Sequence, residues 1–503
     1  MNLDDLLQGV PVMAVSSHGS SQGSSHGSLK IDAITSDSRQ VKAGSLFIAI
    51  PGLAQDGSAF ADAAIALGAA AVVWEKPPRS GGPAFVQTGD ARAALALIAA
   101  NFFGRPAEKL SLIGITGTSG KTTTTKMVES ILDATGDPVG MIGTIEYRAG
   151  DEREVADRTT PDAIVLQQWF SRMVTAGARH AVMEVSSHAL ALKRTLGVPF
   201  SAAVFTNMSR DHFDFHRDFE DYYRAKRILF DQIPQSERRA VVNIDDAFGR
   251  RLAGELGAKR VFSVGMTPEA DIHPSEGFKA SVQGLHGPIN TPMGQVKLAS
   301  PLIGNPNLAN WMCAVGATLA VGIPLKTVEQ GIATLTAVRG RFERVVGPEG
   351  APTVLIDYAH KPDAMDKLLK AIREMAPDRR LIVVFGCGGD RDQGKRPLMG
   401  EIAARLADLT ILTSDNPRSE KPEAILEQIE RGVRSVAGAD YLTIIDRREA
   451  IARAIELAGD RAVVVVAGKG HENYQVVGDR IIHFDDREEV ELAFRKSAQK
   501  GEQ

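Results

Sequence analysis

At 503 residues the chain is far longer than one typical domain, and its length gives a prior of about three domains, so core size sets no limit. Hydrophobic residues make up 44% and charged residues 24% of it, and the formal net charge is -4, a balance that fits a globular protein and gives no general attraction to nucleic acid. The two cysteines, Cys313 and Cys387, exclude a disulfide framework, and the longest uncharged run, Leu298 to Leu325, is broken by Pro301, Pro306 and Asn310 and cannot cross a membrane as one helix.

The N-terminus has no basic stretch followed by an apolar one, so the expected location is the cytoplasm. Residues 16 to 28, SSHGSSQGSSHGS, are polar and of low complexity and read as a flexible loop. After them IDAITSDSR and SLFIAI read as strands, and the alanine-rich stretches 59 to 71 and 91 to 103 as helices. A first α/β domain over 1–108 follows. Its SDSR turn, Ser36 to Arg39, sets hydroxyls and a guanidinium at a strand end, which suits a phosphate or sugar but alone is a surface turn.

The stretch GITGTSGKTTTT, Gly114 to Thr125, is preceded by a short apolar run and followed by Met127, Val128, Ile131 and Leu132 at helical spacing. Strand, glycine loop and helix form a phosphate cradle. Gly117 and Gly120 let backbone N–H groups turn inward, Lys121 supplies a charge, and Thr122 can reach a magnesium ion. The pattern departs from the strict P-loop spacing, with Ile115 where a glycine is asked for.

From 109 to 337 short apolar runs, SLIGIT, AVMEVSS, AAVFTNMS and AVVNIDD, alternate with helical patterns, which predicts a mainly parallel sheet covered by helices. Ligands in such sheets gather at the carboxyl ends of the strands. Glu184, Ser186, His188, Asn207, Asp211 and His212 fall there. Glu184 sits in an apolar strand, where it either reaches solvent at the strand end or has a cation or donors beside it. In the helix expected over Phe219 to Ile233, Lys226 falls within the apolar stripe of Tyr222, Leu229 and Phe230. Spacing alone favours a snorkelling lysine; the other reading is a neutral amine that takes up carbon dioxide as a carbamate.

The third region, 338–503, repeats the alternation in TVLIDYAH, LIVVFGCGGDRD, LTILTSDNPR, YLTIID and AVVVVAGKGHENYQ, with helices beginning near Pro362, Gly394, Lys421 and Arg447. This predicts a second doubly wound domain. GCGGDRD and AGKGHE lack the spacing of a dinucleotide site, so turns explain their glycines, but not the charges that accompany them.

In order, GTSGKTT, MEVSSH, NMSRDHFD, YYRAKRILF, GRFE, DYAHKP, GCGGDRDQGKRP, SDNPR and GKGHENYQ resemble the Mur ligase family over nearly the whole chain. The resemblance implies an α/β, three-domain architecture with a P-loop-type central domain and a doubly wound C-terminal domain. It implies an ATP- and Mg2+-dependent amide-bond ligase that adds diaminopimelate to a UDP-muramoyl-dipeptide through an acyl phosphate, with small-molecule partners only. On matching positions, Ser38, Leu53, Ala54, Gln55, Thr159, Thr160, Ser186, Leu192 and Arg194 resemble contacts to the UDP-muramoyl-dipeptide. Gly117, Thr118, Ser119, Gly120, Lys121, Thr122 and Thr123, with Asn310, Arg341 and Asp357, resemble ATP contacts.

By the same resemblance Thr122, Glu184, His212 and a carbamylated Lys226 surround the metal, which reverses the snorkelling reading, and Lys121, Glu184, His212 and Lys226 are the catalytic set. Arg391, Asp415, Asn416, Pro417, Arg418, Gly468 and Glu472 resemble the diaminopimelate site. Diaminopimelate has one carboxylate more than lysine, and a guanidinium pairs with a carboxylate through two parallel hydrogen bonds, which suits Arg418. Leu192 stands where the family pattern often has glutamine, and Pro306 where GxFNxxN has an aromatic residue.

Overall fold

Successive strand residues face opposite sides of a sheet, and in the strand Ala71–Trp74 that alternation divides two cores. Ala71 and Val73 join Leu46, Ile48, Ala84 and Val86 on one side, while Val72 and Trp74 join Phe47 and Phe85 on the other. The computed structural model in which this is seen describes residues 1–16, 29–52, 55–80, 82–235, 238–281 and 283–501. Its sheet of five strands runs Val12–Val15, Ala84–Thr88, Ala71–Trp74, Ser45–Ile48, Ala33–Thr35. The alanine-rich stretch expected as a helix over 59–71 is α-helical over Ala61–Ala66, directly after a 3-10 turn over Gly57–Phe60. Its end, Ala71, already belongs to a strand, because Ala69 to Trp74 supplies the apolar residues this two-sided core needs.

The second sheet has eight strands, in the order Val261–Val264, Ala240–Asn243, Ala202–Phe205, Ser111–Thr116, His180–Glu184, Val139–Ile142, Glu146–Ala149, Glu152–Val155. The first six pair in parallel. The last two are antiparallel additions on one edge, not foreseen from the sequence because Glu152–Val155 is exposed along its whole length and shows no apolar face. The central strands Ser111–Thr116 and His180–Glu184 are covered on both sides, which is why they read as continuous apolar runs. By Cα packing the sheet lies in a unit made of Met1–His273, Asn290–Gly294 and Ala309–Gly331.

The other unit comprises Pro274–Ile289, Gln295–Leu308 and Ile332–Gln503. Its sheet of six strands runs Glu343–Val345, Thr353–Asp357, Val463–Ala467, Leu381–Phe385, Leu409–Leu412, Tyr441–Thr443, parallel except for the first pair. Leu355, Val383 and Val465 face one core and Val354, Val384 and Val464 the other. Helices Pro362–Met375, Lys395–Leu406, Pro422–Arg434 and Arg447–Ala458 start where the sequence predicts. The hairpin Tyr474–Val477 with Arg480–His483 follows the last strand as a separate ribbon.

Candidate functional site

The strand Ser111–Thr116 hands the chain to a loop whose glycines are fixed by what surrounds them. Gly117 has φ 150°, and a Cβ there would lie 1.9 Å from Thr206 Oγ1; Gly120 has φ 84°, and its Cβ would lie 2.4 Å from Asn310 Oδ1. Any larger residue would push the loop off the next strand end. Thr118 N–H donates to the Asn207 carbonyl at 2.9 Å, Ser119 N–H donates to Asn207 Oδ1 at 3.0 Å, and Thr206 Oγ1 donates to the Ser119 carbonyl at 2.7 Å. The helix Lys121–Asp133 begins directly after Gly120. Its first-turn N–H groups and the Lys121 amine, which donates to the carbonyls of Gly117 at 2.8 Å and Thr118 at 3.0 Å, border the loop.

Glu184, 1% exposed at the end of its strand, is the hub of a hydroxyl network. Thr122 Oγ1 donates to its Oε2 at 3.0 Å, Thr144 N–H to its Oε1 at 2.7 Å, and Thr144 Oγ1 to its Oε2 at 3.1 Å. These donors stabilise a buried carboxylate that would otherwise cost several kcal/mol, on the order of the desolvation penalty of an unpaired ion. A magnesium ion takes hard oxygen ligands and is commonly held by one or two carboxylates plus substrate phosphates. Glu184 and Thr122 supply that chemistry beside a phosphate loop, so the donor set fits. Among the described residues no three His, Cys, Asp or Glu side chains gather as a metal-ligating group. His212, with φ 57°, packs its ring 4.8 Å from that of His188, and its Nε2 lies 3.4 Å from Asp211.

The structure places Lys226 inside the protein. It is 1% exposed, its Nζ donates to the Gly117 carbonyl at 2.8 Å and lies 4.3 Å from the centre of the Tyr222 ring. Burial holds its pKa well below that of a solvated lysine, and the neighbouring Lys121 adds to the shift. The Tyr222 hydroxyl is 3.1 Å from Thr118 Oγ1, so the helix Phe219–Asp231 and the phosphate loop meet at two points.

On the other side of Glu184, Thr160 Oγ1 donates to the Glu184 carbonyl at 2.9 Å and accepts from Ser186 N–H at 3.0 Å, and Arg194 Nη1 donates to the Thr160 carbonyl at 2.8 Å. Thr159 Oγ1 is 3.0 Å from Thr144 Oγ1. Ser186 also caps the short helix Ser187–Ala191, which Leu192 ends. Burial, then the charge of Arg158, holds the Arg194 guanidinium below its ordinary pKa, and Arg92 contributes in the same direction, so these cations together favour an anionic ligand. Ser38 opens the turn Ser38–Gln40 after the strand Ala33–Thr35, and Arg39 folds back onto Asp37 at 2.8 Å. Gln55 is exposed in the loop after Ser45–Ile48; Leu53 and Ala54 lie outside the described residues.

In the second unit two loops at strand carboxyl ends interlock. Gly389 N–H donates to the Asn416 carbonyl at 2.9 Å, and a Cβ on Gly389 would lie 1.9 Å from the Pro417 carbonyl oxygen. Arg418, with φ 52°, donates from Nη1 to the Gly389 carbonyl at 2.8 Å. A Cβ on Gly388 would lie 2.9 Å from Arg418 Nη1 and 3.6 Å from Arg391 Cγ, so both arginines flank that glycine. Beside them Asn416 Nδ2 donates to Glu472 Oε2 at 2.8 Å, and Lys469 Nζ lies 3.4 Å from Glu472 Oε2 and 3.7 Å from Asp415 Oδ1. Gly468, with φ 112°, brings the chain past Asp415 Oδ2. Burial raises the Glu472 pKa despite the opposing pull of Lys469. This arrangement, guanidinium groups on one side and carboxylates on the other, is complementary to a zwitterion.

Arg341 lies over the Tyr358 ring at 4.7 Å, and Asp357 accepts from the N–H groups of Phe342 and Ala359, each at 2.8 Å. Burial pushes His360 down to about 4 and raises Asp357. Asn310, in the helix Asn305–Ala320, accepts from Thr124 Oγ1 at 3.3 Å, and Pro306 falls in the first turn, where a missing N–H is harmless. Sequence reasoning missed Thr144 and Thr206. Thr144 follows Gly143 in a turn with no apolar pattern, and only the register of Val139–Ile142 against His180–Glu184 brings it to the carboxylate.

The chain matches the family model of the Mur ligase middle domain over residues 115–318, that of the Mur ligase glutamate ligase domain over 340–470, and that of the Mur ligase family catalytic domain over 30–102. It is 46% identical over 475 residues to a UDP-N-acetylmuramoyl-L-alanyl-D-glutamate–2,6-diaminopimelate ligase of Gloeobacter violaceus, covering 94% of this chain and 96% of that one. A protein of the same name in Geobacter metallireducens is 44% identical over 494 residues, with the same coverage. A solved structure of a ligase so named superimposes with a TM-score of 0.70 at 31% identity, over 95% of this chain and 97% of the other. No helix among the described residues is long and apolar enough to cross a membrane.

Proposed function

Because the chain belongs to the Mur ligase family, we infer that it is the ATP-dependent ligase that joins 2,6-diaminopimelate to UDP-N-acetylmuramoyl-L-alanyl-D-glutamate in peptidoglycan precursor synthesis. Likeness over nearly its full length to relatives of that name supports the reaction. The observation that carries the amino acid is the Arg418 and Arg391 pair flanking Gly388 beside the Glu472, Asn416 and Lys469 cluster. Two carboxylates and two ammonium groups of diaminopimelate need such a divided surface, whereas lysine would leave guanidinium charge unpaired.

We assign the steps as follows. The loop Gly117 to Thr123, with Lys121, cradles the ATP phosphates, and Asn310, Arg341 and Asp357 complete the nucleotide contacts. Ser38, the 53–55 segment, Thr159, Thr160, Ser186, Leu192 and Arg194 hold the UDP-muramoyl-dipeptide so that its D-glutamate carboxylate meets the γ-phosphate. Magnesium held by Thr122 and Glu184, with His212 and a carbamylated Lys226 in support, would supply positive charge against the repulsion between these anions. The carboxylate oxygen attacks phosphorus, ADP leaves, and an acyl phosphate remains. The uncharged amine of diaminopimelate then attacks the acyl carbon, and the tetrahedral adduct loses a proton from nitrogen to solvent, expels phosphate and leaves an amide.

The division of labour follows the regions 1–108, 109–337 and 338–503, for the UDP-substrate, ATP and amino acid respectively. The partners are small, water-soluble metabolites, consistent with a cytoplasmic enzyme. Phosphate release should require the UDP-muramoyl-dipeptide and meso-diaminopimelate together. Equal ATP turnover without the amino acid would instead identify an ATPase switch.

A further inference from the structure

Arg396 stands in the first turn of the helix Lys395–Leu406, and its side chain is fully buried. An arginine inside a protein must spend its donors on defined acceptors. Here the two Nη groups tie loops and a neighbouring helix together, while Nε is buried without a partner: Nη1 donates to Glu420 Oε2 and Nη2 to Glu420 Oε1, both at 2.8 Å, Nη1 to Gln428 Oε1 at 3.0 Å, and Nη2 to the Gly388 carbonyl at 3.1 Å. Glu420 Oε1 also accepts from Asp390 N–H at 2.6 Å. One ion pair thus grips Gly388 and Asp390 of one loop from the turn that carries Arg418. Asp390 in turn accepts from Ser419 Oγ at 2.6 Å and from Ser419 N–H at 3.2 Å.

Both Asp390 and Arg418 have positive φ, 53° and 52°. Aspartate enters this region more readily than most side chains, whereas an arginine holds it chiefly where surrounding contacts favour it. The grip falls on the glycine that Arg391 and Arg418 flank. Arg396 is buried and the Glu420 side chain 21% exposed; an ion pair with a buried member contributes little net stability compared with apolar residues, and its best-attested use is to fix one arrangement among several.

We propose that the Arg396–Glu420 pair is a positioning device for amino-acid selection: it fixes the Gly388–Asp390 loop against the Arg418 turn and so sets the spacing of the two guanidinium groups that meet the substrate's distal carboxylate. The proposal rests on the substrate reading above. Neither residue touches the amino acid.

The test compares Glu420→Gln and the apolar double variant Arg396→Met/Glu420→Leu with the parent, measuring Tm and the KM of each substrate separately. The double variant removes both charges together, so neither is left unpaired, and Tm reports whether the fold is kept. In both, KM for meso-diaminopimelate should rise roughly tenfold or more while those for ATP and UDP-muramoyl-dipeptide stay within about twofold, and preference over L-lysine should fall. An unchanged diaminopimelate KM, or an equal rise in all three KM values, overturns it. Should the parent itself add lysine in preference to diaminopimelate, the substrate reading fails first, and the pair is then judged on the KM for lysine.

Discussion

Lys226 Nζ donates to the carbonyl oxygen of Gly117 at 2.8 Å, so the helix Phe219–Asp231 inserts a buried amine against the first residue of the phosphate loop. Of the two readings that spacing leaves open, burial argues against snorkelling, since the residue is only 1% exposed and its amine donates to a carbonyl inside the protein. A neutral amine can add to carbon dioxide, forming an N–C bond and releasing a proton, which leaves a carboxylate in place of a cation.

For Lys226→Ala, kcat should fall on the order of 100-fold or more, with partial recovery in short carboxylates. In buffer depleted of carbon dioxide, Lys226→Met should raise Tm. The folded pKa lies below the unfolded value of about 10.4, so between the two the unfolded chain binds more protons and stability climbs with rising pH. Removing the amine should flatten that climb. A carbamate signal absent from NMR spectra of protein in labelled bicarbonate would count against the modification.

Thr144→Val deletes the hydroxyl that donates to Glu184 Oε2 at 3.1 Å and keeps the N–H that donates to Oε1. Loss of one hydrogen bond to a charged group is worth about 1.5–3 kcal/mol, so kcat should drop roughly 10- to 100-fold, and Thr144→Ser should restore it. Equal rates for valine and serine would show that the hydroxyl does not orient the carboxylate.

Arg418→Ala removes a guanidinium held beside Gly388. A charge-assisted bond to a carboxylate contributes about 1.5–3 kcal/mol, so KM for diaminopimelate should rise roughly 10- to 100-fold with ATP affinity unchanged. Steady-state kinetics with each substrate varied in turn checks this, and an unmoved amino-acid KM would take Arg418 out of the site.

Burial raises the Glu472 pKa; Asp415 pushes the same way, while Lys469 and Asn416 oppose it. Diaminopimelate binding should therefore weaken on the acid side at a pH above the ordinary glutamate value of about 4.3, as the anion that faces an ammonium is lost. The stability sign is the reverse. With the folded pKa above the unfolded one, the protonated form's stabilisation is present below the unfolded pKa and disappears as pH rises through the folded pKa, so Glu472→Gln should raise Tm at neutral pH while increasing KM. A KM profile unchanged by this substitution would mean that another group sets the acid limb.

The apolar runs of the central strands, the glycine loop before Lys121 and the capped helices could be read from the chain because each is a local pattern: continuous burial on two faces, a backbone turn, a helix start. The same holds for the family motifs, which are contiguous. What could not be read is the exposed edge strand Glu152–Val155, which has no apolar signature, and the strand Ala71–Trp74, whose first residue ends the alanine-rich stretch 59–71 that suggested helix.

Composition and periodicity thus determined by themselves an α/β chain with a phosphate loop and charged strand ends, and the resemblance of its ordered motifs to a known family added the ligase. Only the tertiary structure decided that Lys226 is buried against Gly117, that Thr144 secures Glu184, and that Arg396 fixes the loops around Arg418. Those partners are 109, 40 and 8 residues apart or more in sequence, and hydrogen bonds of this kind depend on strand register and loop contact, to which no periodicity along the chain corresponds.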